Sequence, residues 1–137
     1  MAIRLDQKNV GTLEVGDIIM LDLDPTVGHE QQNFRPCIVL SVAPWNAVTR
    51  GFVFVLPLTR TVSPNPNATY PRLEESQNDA GVSGTVLLDQ MRSLDALGRN
   101  GKLVGKVTDQ QLIDDLRMAV CQIIGVGADF FPIEDEE

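Results

Sequence analysis

The chain has 137 residues, 43% of them hydrophobic, and a formal charge of −8, a size suited to one domain with its own core. No apolar run reaches the roughly 18–20 residues that span a bilayer, and the acidic balance argues against a generic nucleic-acid binder. The charge is uneven: the final stretch "ADFFPIEDEE" carries five carboxylates and no base, while single arginines recur from Arg35 to Arg99. A basic groove on an acidic body is compatible with that pattern.

Residues 1–14 read as a loosely ordered lead-in. The N-terminus shows no apolar segment between a basic start and a small-residue cleavage site, so no signal peptide is visible. "DIIMLDL" (17–23) follows Gly16 and predicts a strand, as does "CIVLSV" (37–42) after Pro36. "APWNAVTRG" clusters Pro, Asn and Gly and reads as a hairpin loop. "FVFVLPL" (52–58) has the aromatic and β-branched content of a strand. "SPNPNA" is a loop. "TYPRLEE" (69–75) predicts a short edge strand, because Pro71 suits an edge. After the loop "SQNDAGVSG", "TVLLDQMRSL" (85–94) reads as one strand and "KLVGKV" (102–107) as a shorter one. Short strands with turn signals at this spacing predict a small barrel or strongly bent sheet. "TDQQLIDDLRMAVCQIIG" predicts a terminal helix: Thr108 with Gln111 fits a capping box, Leu112, Leu116, Ala119 and Ile123 recur on one face, and Gly125 suits the residue after the end. The domain is placed at 15–126, with an acidic tail at 127–137. Cys37 and Cys121 both lie in apolar runs and read as buried, reduced thiols, which implies a cytoplasmic setting.

The stretch from Asp22 to Pro36, "DLDPTVGHEQQNFRP", packs unusual polar chemistry between two apolar strands. Asp22 and Asp24 share a strand face. Such a pair can join a divalent-metal site, but the preferred reading makes Asp24-Pro25-Thr26 a turn. His29 is the only histidine, and no G-x-S-x-G accompanies it, so a nucleophilic triad is disfavoured. No Cys/His cluster fits zinc. Arg35 precedes Pro36, which biases it to extended backbone. Its guanidinium either pairs with Glu30 or Asp24 or grips a phosphate, whose geometry matches arginine's planar donors. Thr59 and Arg60 end a strand, where a hydroxyl and a guanidinium can contact a phosphate.

Four stretches together resemble the MazF/PemK family of toxin–antitoxin ribonucleases: "GDIIMLDLDPTVGHEQQNFRPCIVLS" (16–41), "VLPLTRT" (55–61), "GTVLLDQMRSLD" (84–95) and the helix after "KLVGKV". The resemblance implies a mainly β fold, a small SH3-like, partly open β-barrel with a C-terminal helix, assembled as a homodimer. It implies metal-independent, cofactor-free, sequence-selective cleavage of single-stranded RNA, often mRNA, to 2′,3′-cyclic phosphate and 5′-hydroxyl ends. The family's catalytic arginine falls on Arg35, its threonine on Thr59 and its loop glutamate on Glu30. Asp22, Asp24, Gln90 and Arg92 match positions near the substrate groove. Phe34 stands where relatives often carry histidine, and an aromatic ring there suits stacking on a splayed base; Arg60 joins it as a substrate contact. The implied partner is a MazE-like antitoxin, through which alone DNA would be bound; no membrane is involved. Two alternatives stand beside this: a non-catalytic CcdB-like toxin acting on a protein such as DNA gyrase, and a carboxylate–metal hydrolase built on Asp22, Asp24 and Glu30.

Overall fold

The apolar runs form neighbouring strands. The computed structural model describes residues 2–24, 28, 33–62 and 64–126. In chain order the elements are β1 (Ile3–Arg4), β2 (Asp17–Asp22), β3 (Phe34–Val39), a short helix α1 (Ala43–Val48), β4 (Phe52–Thr59), β5 (Arg72–Leu73), β6 (Gly84–Val86), β7 (Arg92–Asp95), β8 (Lys102–Lys106) and the helix α2 (Gln110–Ile123). The strands hydrogen-bond in the order β1-β8-β2-β3-β4-β6-β5, with β7 also on β4. Every pairing is antiparallel. The sheet does not close on itself, so the result is a partly open β-barrel carrying a C-terminal helix, as expected.

Both faces of the central strands are buried, which is why they read as unbroken apolar runs rather than alternating ones. Ile19, Leu21, Cys37, Val39, Val53 and Val55 face one core, completed by Leu5, Val10 and Leu13 from the N-terminus. Ile18, Ile38, Leu56 and Leu58 face the other, covered by Leu112, Ile113 and Leu116 of α2. The glycine before β2 makes the second junction close: Gly16 has φ +95°, and a Cβ there would lie 2.8 Å from Ile113 Cδ1.

Several local expectations are corrected. Residues 2–14 are not a loose lead-in: β1 pairs with β8, and Leu13 and Val10 are fully buried. "APWNAVTRG" is not a hairpin loop but contains α1, because Pro44 near the first turn starts a helix as readily as a turn. The buried Asn46 fixes it by donating to the Leu13 carbonyl at 2.9 Å and the Ser41 carbonyl at 3.0 Å. β3 begins at Phe34 rather than at Cys37, since the extended bias of Pro36 reaches back through Arg35. The run 85–94 is two strands, β6 and β7, with a 3-10 turn at Leu88–Gln90 between them. Pro57, lacking an N–H, sits where β4 passes from β7 (residues 52–55) to β6 (residues 58–59). The N-cap of α2 is Asp109, not Thr108; its carboxylate accepts from the backbone N–H groups of Gln111 and Leu112. Gly125 has the left-handed φ of +85° expected after the helix end. Cys37 is buried, whereas Cys121 is only half-buried.

Candidate functional site

The antiparallel register builds the site. In β3 and β4, Cys37 faces Pro57; continued outward by two residues, that register sets Arg35 across from Thr59. On its other side Thr59 pairs with Thr85 of β6, and Thr85 pairs with Arg72 of β5. Registered neighbours project to one face of a sheet, so a polar row runs Arg35, Thr59, Thr85, Arg72 across four strands. The apolar pattern stops here because both strands run past the core.

This row borders an open cleft of about 620 Å³. Phe34, Arg35, Thr59, Arg60 and Arg72 line it, with Met20 and Pro36 on one side and the 81–84 segment with Glu75 on the other. Three arginines on a chain of net charge −8 therefore share one depression. Close approach shapes its wall: a Cβ on Gly84 would stand 2.9 Å from the carbonyl oxygen of Thr59, so glycine lets β6 seat against the end of β4. The Thr59 hydroxyl accepts from the Thr61 N–H at 3.2 Å, which leaves its own hydrogen to donate. The Phe34 ring, 41% exposed at the lip, carries the Lys102 ammonium 5.8 Å above its centroid.

The other expected site residues sit elsewhere. Asp22 and Asp24 border a separate hollow of about 340 Å³ with Asp95, Gly98 and Arg99. Asp24 Oδ1 accepts from the Asn33 N–H at 3.3 Å, tying together the two ends of the intervening segment. Arg92, opposite Val55 on β7, donates to the Leu23 carbonyl at 3.3 Å. Arg99 donates to the carbonyls of Asp22 and Asp24 at 3.1 and 2.9 Å. Two arginines thus hold three successive carbonyls at the root of the polar stretch. Gln90 ends the 3-10 turn between β6 and β7. Next to it, Asp89 accepts from the Tyr70 hydroxyl at 2.7 Å, and that bond holds the tyrosine pKa above its ordinary value. Glu30, His29, Pro25 and Thr26 lie outside the described residues. Among the described residues no group of three or more His, Cys, Asp or Glu is placed to hold a metal ion.

Residues 14–124 match the family model of the PemK-like, MazF-like toxin of type II toxin–antitoxin systems. The chain belongs to this toxin family. It is 36% identical to the endoribonuclease PemK of Escherichia coli over 71% of each chain. Among solved structures it is similar to the crystal structure of MazF from Deinococcus radiodurans, with a TM-score of 0.67 and 30% identity over 82% of this chain and 96% of that one. A MazE–MazF crystal structure from the same organism matches with a TM-score of 0.63 and 31% identity, over 84% and 97% of the two chains. The family model begins at residue 14, so β1 and the buried Leu5, Val10 and Leu13 lie in front of the matched span.

Arg72 and Arg99 belong to the run of single arginines, but the sequence assigns neither a place at the site. Arg72 stood inside "TYPRLEE", where its only signal was a strand arginine beside a proline, the same arrangement as Arg35–Pro36 in reverse order. Arg99 stood in a loop and acts through backbone carbonyls, which no side-chain pattern announces.

Proposed function

We propose that this chain is the toxin of a toxin–antitoxin pair and an endoribonuclease that cuts single-stranded RNA at the Arg35–Thr59 cleft. The observation that carries the proposal is the pairing of a guanidinium and a hydroxyl at the ends of adjacent strands, in one open cleft, in a chain of the PemK/MazF toxin family.

Cleavage of this kind needs three things. The ribose 2′-oxygen must lie in line with the leaving 5′-oxygen. Charge growing on the phosphorane oxygens must be met by fixed donors. A proton must leave the 2′-oxygen, and another must reach the 5′-oxygen. Arg35, whose guanidinium brings five N–H donors and no acceptor, suits the second task and not the role of general base. Thr59 adds a hydroxyl donor beside it. Attack of the 2′-oxygen on phosphorus with loss of the 5′-oxygen gives a 2′,3′-cyclic phosphate and a 5′-hydroxyl, with no metal required. Glu30 is either the base or the group that orients Arg35. Phe34 with Lys102 above it offers a stacking surface with a cation for a neighbouring nucleotide. Arg60 meets the backbone, and Gln90 and Arg92 support the groove. Asp22 and Asp24, held by Arg99 and Asn33, fix the chain where it leaves β2, ahead of Arg35 on β3.

The protein acts in the cytoplasm as a homodimer with an SH3-like barrel in each subunit, restrained by a MazE-like antitoxin. The dimer reading rests on an open apolar groove of about 440 Å³ between α1, β4 and the end of α2. Trp45, Phe54 and Ile124 line it and are 47%, 38% and 59% exposed. Contiguous apolar surface of this sort marks an interface.

The test is incubation of the purified protein with a long single-stranded RNA in excess EDTA, with the new 5′-ends mapped. Discrete cuts bearing 5′-hydroxyls are expected. Intact RNA from a folded protein, or cutting that returns only with added metal, overturns the proposal.

A further inference from the structure

Among the described residues, Arg72 joins Arg35 and Arg60 as a cation of the cleft. Its guanidinium is built into place. Nη1 donates to the Thr85 hydroxyl at 2.9 Å, and Nε lies 3.6 Å from Glu74 Oε2. Thr85 is fully buried, so this contact satisfies a buried hydroxyl. A hydroxyl partner alone needs one donor, and arginine brings five in a planar fork. The Glu74 pair does not cancel the charge. The two side chains are 37% and 58% exposed, and ion pairs in water contribute little. Arg72 also borders the same cleft as Arg35 and Thr59. Two strand pairings separate it from Thr59, about 10 Å at the usual inter-strand spacing. With the guanidinium anchored at Thr85, that backbone spacing is the right scale for the next stretch of a bound strand.

We propose that Arg72 is a second phosphate-binding residue of the cleft, gripping a flanking, non-scissile backbone phosphate of the RNA and so fixing which linkage lies at Arg35 and Thr59. The proposal rests on the ribonuclease reading above. Thr85 and Glu74 hold the guanidinium before RNA arrives, so little side-chain freedom is lost on binding. The bound group is a phosphodiester and not a base, so Arg72 contributes affinity and register but no base preference of its own.

The experiment uses the full chain and an oligoribonucleotide spanning one mapped cut. Wild type, Arg72→Gln and Arg72→Lys are compared for KM, kcat and the salt dependence of binding. Gln keeps an N–H donor for Thr85, and matched melting curves check the fold. Arg72→Gln is expected to raise KM about tenfold or more, with the loss in KM rather than kcat. It should also lower the slope of log K against log salt by about 0.7, the loss of one phosphate contact on a single strand. Arg72→Lys should keep the slope and recover part of KM. Replacing flanking phosphates one at a time by neutral methylphosphonates should reveal one position whose neutralisation weakens wild type but adds nothing in Arg72→Gln. If Arg72→Gln melts lower than wild type, the same coupling is read on Arg72→Lys, where that methylphosphonate should cost less than in wild type. Unchanged KM and slope, or equal methylphosphonate effects in all three proteins, overturn this inference while wild-type cleavage still stands. No cleavage by wild type overturns the ribonuclease reading instead.

Discussion

At the residue scale, Arg35 and Thr59 are asked to act on charge that develops only in the transition state. Removing one such donor typically costs about 10²–10³ in rate. Thr59→Ala is therefore expected to lower kcat on RNA by about that factor with KM little changed; a fall confined to KM would make Thr59 a binding group only. Asn46 carries a different burden. It is fully buried, and its amide serves carbonyls 33 and 5 residues away. Asn46→Ala leaves both acceptors unpaired and is expected to cost roughly 2–3 kcal/mol in urea unfolding. A loss under 0.5 kcal/mol would mean water replaces the amide. Burial pushes the Cys37 thiol up to about 12, partly opposed by Arg92. Since only the thiolate is nucleophilic, iodoacetamide at pH 8 should leave Cys37 unmodified in the folded protein and label it after denaturation, as read by mass spectrometry.

At the element scale, α2 depends on Asp109. Bonds from the Gln77 amide and the backbone N–H groups of Leu112 and Gln111 hold its carboxylate below the ordinary aspartate pKa. A depressed folded pKa adds stability above the unfolded value, and that stability is lost as pH falls through the folded one. Asp109→Asn should therefore lower the melting temperature by a few degrees at pH 7, and the gap should close below about pH 4. A gap independent of pH would assign the effect to hydrogen bonding alone. The helix was legible in the sequence because its apolar spacing is periodic and its end is marked by Gly125, while its cap was misplaced by one residue because Thr108 and Asp109 are both competent caps. The three long strands were legible for a similar reason: their interiors are apolar runs, buried on both faces in β2 and β3, with Phe52 and Phe54 on the exposed side of β4. α1 was hidden because Pro, Asn and Gly open helices as well as turns. The break at Leu88–Gln90 was hidden because its residues are apolar enough to continue a strand, and only the change of partner along β4 interrupts them. Arg35 and Thr59 were legible through their neighbouring prolines and family motif. Their common cleft was not, because strand register is a long-range property.

At the scale of the whole molecule, one sheet serves two purposes. Its middle is buried, and the ends of β3 and β4, with β5 and β6 beside them, carry the polar row to the cleft. Positioning a cleft on strand ends gives fixed backbones beneath each side chain. The second surface, the apolar groove along α2, is the proposed seat of the dimer. Trp45→Glu should shift the protein toward monomer in analytical ultracentrifugation, and an unchanged dimer would place the interface elsewhere.

The central claim is that Arg35 promotes attack by the ribose 2′-hydroxyl in this cleft. Single-turnover cleavage of an oligoribonucleotide in EDTA tests it most directly, with wild type and Arg35→Ala on the natural strand and on one carrying a single 2′-deoxy nucleotide at the cut. A cut with a 5′-hydroxyl end is expected only for wild type on the natural strand, with a loss of at least about a hundredfold in the other three combinations. Cleavage of the 2′-deoxy strand, or a wild-type rate from folded Arg35→Ala, would contradict it.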